Sequence, residues 1–142
     1  MRSSHGPVLG IGVDLVENDR MQEMITRWGS RFTAKVFVEN EKQYCETKAV
    51  PCRHYAGRFA VKEAVSKAFG TGFGPQIGWL DIEVVRDGDT GAPSVRLSTR
   101  ARKWADSLGV GQILVSLSHT RHYAVAHALL LAGSRRQKRK KR

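Results

Sequence analysis

Residues 58–67, RFAVKEAVSK, carry five ionisable or hydroxyl side chains inside a stretch whose apolar residues recur at helical spacing. Ala60, Val61, Ala64, Val65, Ala68 and Phe69 fall on one stripe, so the segment reads as a helix that packs on a core and stops at Gly70. Glu63 and Lys67 lie away from the centre of that stripe, four residues apart with the acid first. That order suits an ordinary surface ion pair worth about 0.3–0.5 kcal/mol, which explains both residues without any function.

Working outward, Pro51 separates this helix from a less regular helical stretch over residues 32–48, FTAKVFVENEKQYCETK. Before it, Asn18 is placed to cap a helix whose apolar residues Met21, Met24, Ile25 and Trp28 follow i, i+3, i+4, i+7 and end at Gly29. The chain opens with residues 8–16, VLGIGVDLV, an alternating pattern that predicts a strand with Asp14 near its end. After Gly70, residues 80–98 read as two strands joined by a Gly-rich turn, and residues 98–109 as a short basic helix ending at Gly109. Two last strands, QILVSLS (112–118) and YAVAHALLLA (123–132), flank a polar turn. Strand, three helices, hairpin, helix, hairpin is the order of an α+β fold with an antiparallel sheet packed against helices.

Composition narrows the function classes. At 142 residues with 41% hydrophobic and 26% charged residues, the chain has the make-up of one globular domain. The formal net charge of +11 points towards a nucleic-acid-binding module, but seven of the 24 basic residues sit in the terminal SRRQKRKKR. The remainder carries 17 basic against 13 acidic residues, so the division expected is a domain over 1–134 and a basic, disordered tail over 135–142. Cys45 and Cys52 are seven apart, which fits neither metal-binding spacing nor a disulfide framework and predicts two reduced thiols. No apolar run reaches membrane-spanning length and the first ten residues lack a secretory signal, so the expected location is the cytoplasm, with no membrane partner.

Three places could carry chemistry. Asp14 stands in an apolar strand, where an ionised carboxylate is costly unless paired, hydrogen-bonded or bound to a metal, or unless the strand simply ends there. Glu63 and Lys67 are the second. The third is residues 116–124, SLSHTRHYA, where Ser118, His119, Thr120, Arg121 and His122 crowd polar groups into a turn that could present donors to an anion or be a plain surface turn. No P-loop and no strand-linked GxGxxG occurs.

Taken together, GIGVDLVENDRM (10–21), YAGRFAVKEAVSKAFGTGFG (55–74), WLDIEV (79–84) with DGDTGAP (87–93), and VSLSHTRHYAVA (115–126) resemble the holo-acyl-carrier-protein synthases, the short bacterial phosphopantetheinyl transferases. The resemblance spans about residues 9–131 and implies the 4′-phosphopantetheinyl transferase fold, acting as a homotrimer with sites between subunits. It implies transfer of the 4′-phosphopantetheine arm from coenzyme A to a serine of an acidic apo-acyl carrier protein, in support of fatty acid biosynthesis, with release of adenosine 3′,5′-bisphosphate. By motif, Asp14 and Glu63 match the family's carboxylates for Mg2+, and Lys67 its lysine at the coenzyme A phosphates. Arg58, Gly91, Pro93 and His119 match positions at coenzyme A, and Arg20 and Met24, with Arg27 on the same helix face, match the helix that docks the carrier. A metal-bound water or Glu63 would take the serine proton. Asn18 departs from the family pattern, which has an apolar residue there, and the tail lies outside the resemblance. For the last strand, apolar residues on both faces (Tyr123, Val125, Leu129 and Leu131 against Ala124, Ala126, Ala128 and Leu130) predict that association covers the face that the chain's own helices leave open.

Overall fold

A computed structural model describes residues 6–133, and the basic tail lies outside the described residues. The elements are β1 (Val8–Glu17), α1 (Asn18–Trp28), α2 (Ser30–Val36), α3 (Glu39–Glu46), α4 (Pro51–Ala68), a 3-10 turn (Trp79–Asp81), β2 (Ile82–Arg86), β3 (Pro93–Leu97), α5 (Thr99–Ser107), β4 (Val110–His119) and β5 (Tyr123–Ala132). The α+β class and the antiparallel pairing follow the sequence reading, but the strands form two sheets: β1-β5-β4, with β5 in the centre, and the hairpin β2-β3. The irregular helical stretch is two helices, because Phe37 turns extended and buries its ring against Tyr55 and Phe32.

The helix α4 is the axis of the molecule. It lies on the inner face of the three-stranded sheet, where Ala124, Ala126, Ala128 and Leu130 of β5 are buried. Small residues allow that approach. A Cβ on Gly12 would lie 1.9 Å from the Ala64 carbonyl oxygen and one on Gly10 2.0 Å from that of Ala68, so the GIG of β1 is required for the helix to rest on the strand. α4 is buried more widely than one stripe: Tyr55, Arg58, Lys62 and Ser66 are enclosed as well, because α1, α3 and β2 pack around it. Lys62 therefore sits in the core.

Among the described residues nothing covers the outer face of the same sheet. Ile11, Val13 and Leu15 of β1, with Leu114 of β4 and Tyr123 of β5, are exposed on it, and Ile11 is 68% exposed. Asn18 departs from its expected role as a cap. Glu17 occupies the N-cap position without a side-chain bond, and Asn18 is the first, buried residue of α1. Its amide reaches instead to the β4–β5 turn. Cys45 and Cys52 are free thiols, and burial pushes the Cys45 thiol up to about 12.

Candidate active site

Asp14 lies opposite Ala126 in the β1–β5 register, which aims it at α4 together with Gly12 and Val16. The close β1–α4 contact brings Lys67 across to it: Lys67 Nζ donates to Asp14 Oδ1 at 2.9 Å and to the Val13 carbonyl at 3.2 Å. The i, i+4 pair expected from spacing is thus replaced, since among the described residues the ion-pair partner of Lys67 is Asp14 and not Glu63. Glu63, partly buried one turn earlier, is left with a carboxylate neighbour. Burial first, and repulsion from Asp14 second, push its carboxyl above the usual 4.5, and Lys67 offsets part of this. Lys67 is itself held protonated above the usual lysine range, chiefly by its bond to Asp14.

Asp14 and Glu63 line a cleft of about 370 Å³ between β1, α1 and α4, whose other walls include Arg20, Met21, Met24, Phe32 and Phe59. Arg20 and Met24 therefore border the cleft that holds the two carboxylates. Arg27 is exposed outside it, its guanidinium 5.2 Å from the Trp28 ring. As for a metal, two carboxylates forced close enough to repel one another are a suitable oxygen donor set for Mg2+, which keeps waters and takes further oxygens from phosphates. Among the described residues no group of three or more His, Cys, Asp or Glu side chains could hold a metal.

A second cleft, about 220 Å³, brings together Arg58, Gly91, Pro93 and His119, four of the five residues expected at coenzyme A, with Tyr44, His54, Val84, Val85, Arg86 and Leu117; the fifth, Lys67, is not among its lining residues and pairs with Asp14 instead. His119 closes on α4 at Gly57, where a Cβ would meet its Cε1 at 2.6 Å. Its imidazole is pushed below the usual 6.5 by desolvation and then by the Arg58 charge, both of which favour the neutral form. Arg58 is 7% exposed, lies 4.0 Å over the Tyr44 ring, and its Nε has no hydrogen-bond partner among the described residues. Burial raises the Tyr44 hydroxyl, but the bond and charge of Arg86, with Lys48 and Arg58, bring it below its usual range. Such a concentration of donors suits an anion. A neighbouring surface cavity is lined by Arg53, His54, His119, Thr120 and Arg121. Ser118 and His119 complete β4, so the polar turn itself is residues 120–122.

Five residues escaped the sequence reading: Lys62, Glu41, Tyr44, His54 and Arg86. Lys62 is fully buried and donates to Glu41 Oε1 at 2.6 Å, the Ile82 carbonyl at 2.7 Å and the Trp79 carbonyl at 3.0 Å. Glu41 in turn accepts from the Val38 and Val84 backbone N–H groups, both at 2.9 Å. Burial drives Lys62 below the usual lysine range against the pull of Glu41. This lock ties α3 and β2 to α4 and so fixes the hairpin that carries Gly91 and Pro93. Tyr44, His54 and Arg86, the other missed residues, come from separate elements, and no local motif joins them.

Similarity places this geometry among known proteins. Residues 10–128 match the model of the 4′-phosphopantetheinyl transferase superfamily. The chain is 50% identical over 124 residues to the holo-[acyl-carrier-protein] synthase of Ruminiclostridium cellulolyticum, covering 87% of this chain and 92% of that protein. It superposes on the crystal structure of the synthase from Neisseria meningitidis with a TM-score of 0.82 at 26% identity, covering 87% of this chain and 98% of that one. The Helicobacter pylori enzyme in complex with coenzyme A aligns with a TM-score of 0.75 at 29% identity over 84% and 98% of the two chains. By sequence over most of its length and by fold, the chain belongs to the 4′-phosphopantetheinyl transferase superfamily.

Proposed function

We propose that the chain is a holo-acyl-carrier-protein synthase in which Asp14, Glu63 and Lys67 do the chemistry. The serine oxygen of an apo-carrier attacks the phosphorus bearing the pantetheine arm; the bond to the adenosine 3′,5′-bisphosphate oxygen breaks, and the serine proton is lost. The observation that carries this reading is the pairing of Asp14 and Glu63 in a cleft bordered by Arg20 and Met24 of α1. Mg2+ held by the two carboxylates would neutralise the pyrophosphate and its developing charge. Lys67, half exposed at Asp14 and with two of its three donors used, has a donor free to bond a phosphate oxygen and stabilise the leaving group. The serine proton passes to Glu63 or to a water on the metal. Arg58, Gly91, Pro93 and His119 hold the nucleotide end of coenzyme A. Arg20 and Met24, with Arg27 further along the helix, receive the acidic carrier, in support of fatty acid synthesis in the cytoplasm.

The working unit in this reading is a homotrimer with its sites between subunits. Two observations support it. The carboxylate cleft and the Arg58 cleft share no lining residue, so one chain supplies two half-sites that a neighbour can complete. The uncovered face of Ile11, Val13 and Leu15 offers the apolar surface such an assembly buries. Incubating the protein with apo-carrier, coenzyme A and Mg2+ and weighing the carrier by mass spectrometry tests the activity, since a carrier that gains no pantetheine arm contradicts it. Light scattering tests the assembly, with three times the 15.8 kDa chain mass expected. A fully active monomer contradicts that part. No helix among the described residues is long and apolar enough to cross a membrane.

A further inference from the structure

Asn18 is 4% exposed at the first position of α1, and its Nδ2 donates to two successive carbonyls of the β4–β5 turn: Arg121 at 3.0 Å and Thr120 at 3.4 Å. Its backbone N–H donates to the next carbonyl, that of His122, at 2.8 Å. The side-chain Oδ1 is buried without a hydrogen-bond partner among the described residues, so the residue is kept there for its donors. No other neutral side chain of this size can give two N–H bonds.

The consequence lies in the turn. A trans peptide is planar, with its C=O and N–H antiparallel. Holding the Thr120 carbonyl against Asn18 therefore turns the Arg121 N–H away from α1, and holding the Arg121 carbonyl turns the His122 N–H towards Thr120 Oγ1, which accepts it at 3.3 Å. Thr120 Oγ1 also accepts from the Tyr123 N–H at 2.9 Å, which closes the turn on itself. Thr120 and Arg121 line the basic cavity that contains His119, while α1, held by the same residue, carries Arg20 and Met24 on the carboxylate cleft.

We infer that Asn18 is a positioning residue for coenzyme A: its amide holds the 120–122 turn in the shape that receives the nucleotide's phosphate, without touching the nucleotide. This rests on the reading that His119 and its neighbours bind coenzyme A. Asn18→Leu keeps the size and removes both donors, and Asn18→Asp keeps the shape while offering only acceptors. Titration calorimetry with coenzyme A should show each variant weakened about tenfold, the weight of one or two neutral hydrogen bonds. The KM for coenzyme A should rise in parallel, while the KM for carrier and kcat at saturating coenzyme A stay within about threefold. Equal rises in both KM values, or unchanged coenzyme A affinity in a folded variant, overturn the assignment. Hydrogen exchange of residues 119–123 in the ligand-free protein separates the two readings. Faster exchange in the variants, with no coenzyme A binding even by the parent chain, would sink the reading of the site but not the tether. Unchanged exchange would sink the tether.

Discussion

Lys62 and Lys67 leave the same helix five residues apart, and their surroundings give them opposite roles. Lys62 is fully buried with three acceptors arranged round its ammonium, all from parts of the fold that must stay together. Lys67 is half exposed, bonds one carboxylate at the edge of an open cleft, and leaves Glu63 short of a cation. The first arrangement is closed and can only stabilise. The second is open, with a carboxyl that gains from a ligand. An ion pair's local charge pattern therefore says little about its role; the number of satisfied partners and the access of solvent decide it.

The comparison breaks most severely at the closed pair. Lys62→Ala leaves Glu41 charged, buried and without its cation, and should cost about 3–5 kcal/mol of unfolding free energy, read by urea titration. A loss below about 1 kcal/mol would mean that the lock does not hold the hairpin to α4. Lys62→Met should recover part of the loss through packing but not all, since the carbonyls of Ile82 and Trp79 and the Glu41 carboxylate still lose their donor.

At the open pair the expected pattern reverses. Glu63→Gln should leave stability within about 1 kcal/mol or raise it, because it removes a carboxylate that burial and Asp14 both disfavour. Carrier modification should nonetheless fall on the order of a hundredfold. Near-normal turnover at saturating Mg2+ would remove Glu63 from the chemistry.

The same carboxyl sharpens the contrast through pH. Its folded-state value is raised, so the protein is relieved of the Glu63 charge at and below the usual 4.5, and stability is lost as pH rises from there through the raised value. Mg2+ requires the ionised form, so its apparent affinity should climb over that same range, with a proton released on binding. In the metal-free protein, Asp14→Asn should let Glu63 ionise at lower pH by removing the repulsion, as followed by NMR titration of its carboxyl. A pH-independent Mg2+ affinity between pH 4.5 and 7 would show that Glu63 is no ligand.

The smallest effect belongs to the rim. Arg20→Glu should raise the KM for an acidic carrier several-fold at low salt and leave that for coenzyme A within about twofold, an effect that shrinks as salt is added. Equal changes for both substrates would place Arg20 outside the docking surface.

What could be read from the sequence follows from periodicity and motif. Each strand and helix arises from local spacing, apart from the break at Phe37, where one buried aromatic ends α2 early. Asp14, Glu63 and Lys67 were legible as a set through the resemblance, but their spacing alone favoured a surface pair of Glu63 with Lys67. Asn18 reads as a cap because amide side chains serve well there; its real partners lie more than a hundred residues away, beyond any local pattern.

Apart from the division of the second helical stretch at Phe37, the sequence by itself determined the element order, the helix stop at Gly70, the small residues of β1 and the two-sided apolar character of β5, because these depend on side chains a few positions apart. Tertiary structure alone decided which polar groups meet. Gly12 lets α4 approach β1, and that approach gives Asp14 to Lys67. The arrival of α3 and β2 encloses Lys62, and the packing of α4 on the inner face of the sheet leaves the Ile11 face bare. Burial and long-range pairing are properties of the assembled layers, and charge neighbours separated by tens of residues acquire their meaning only there.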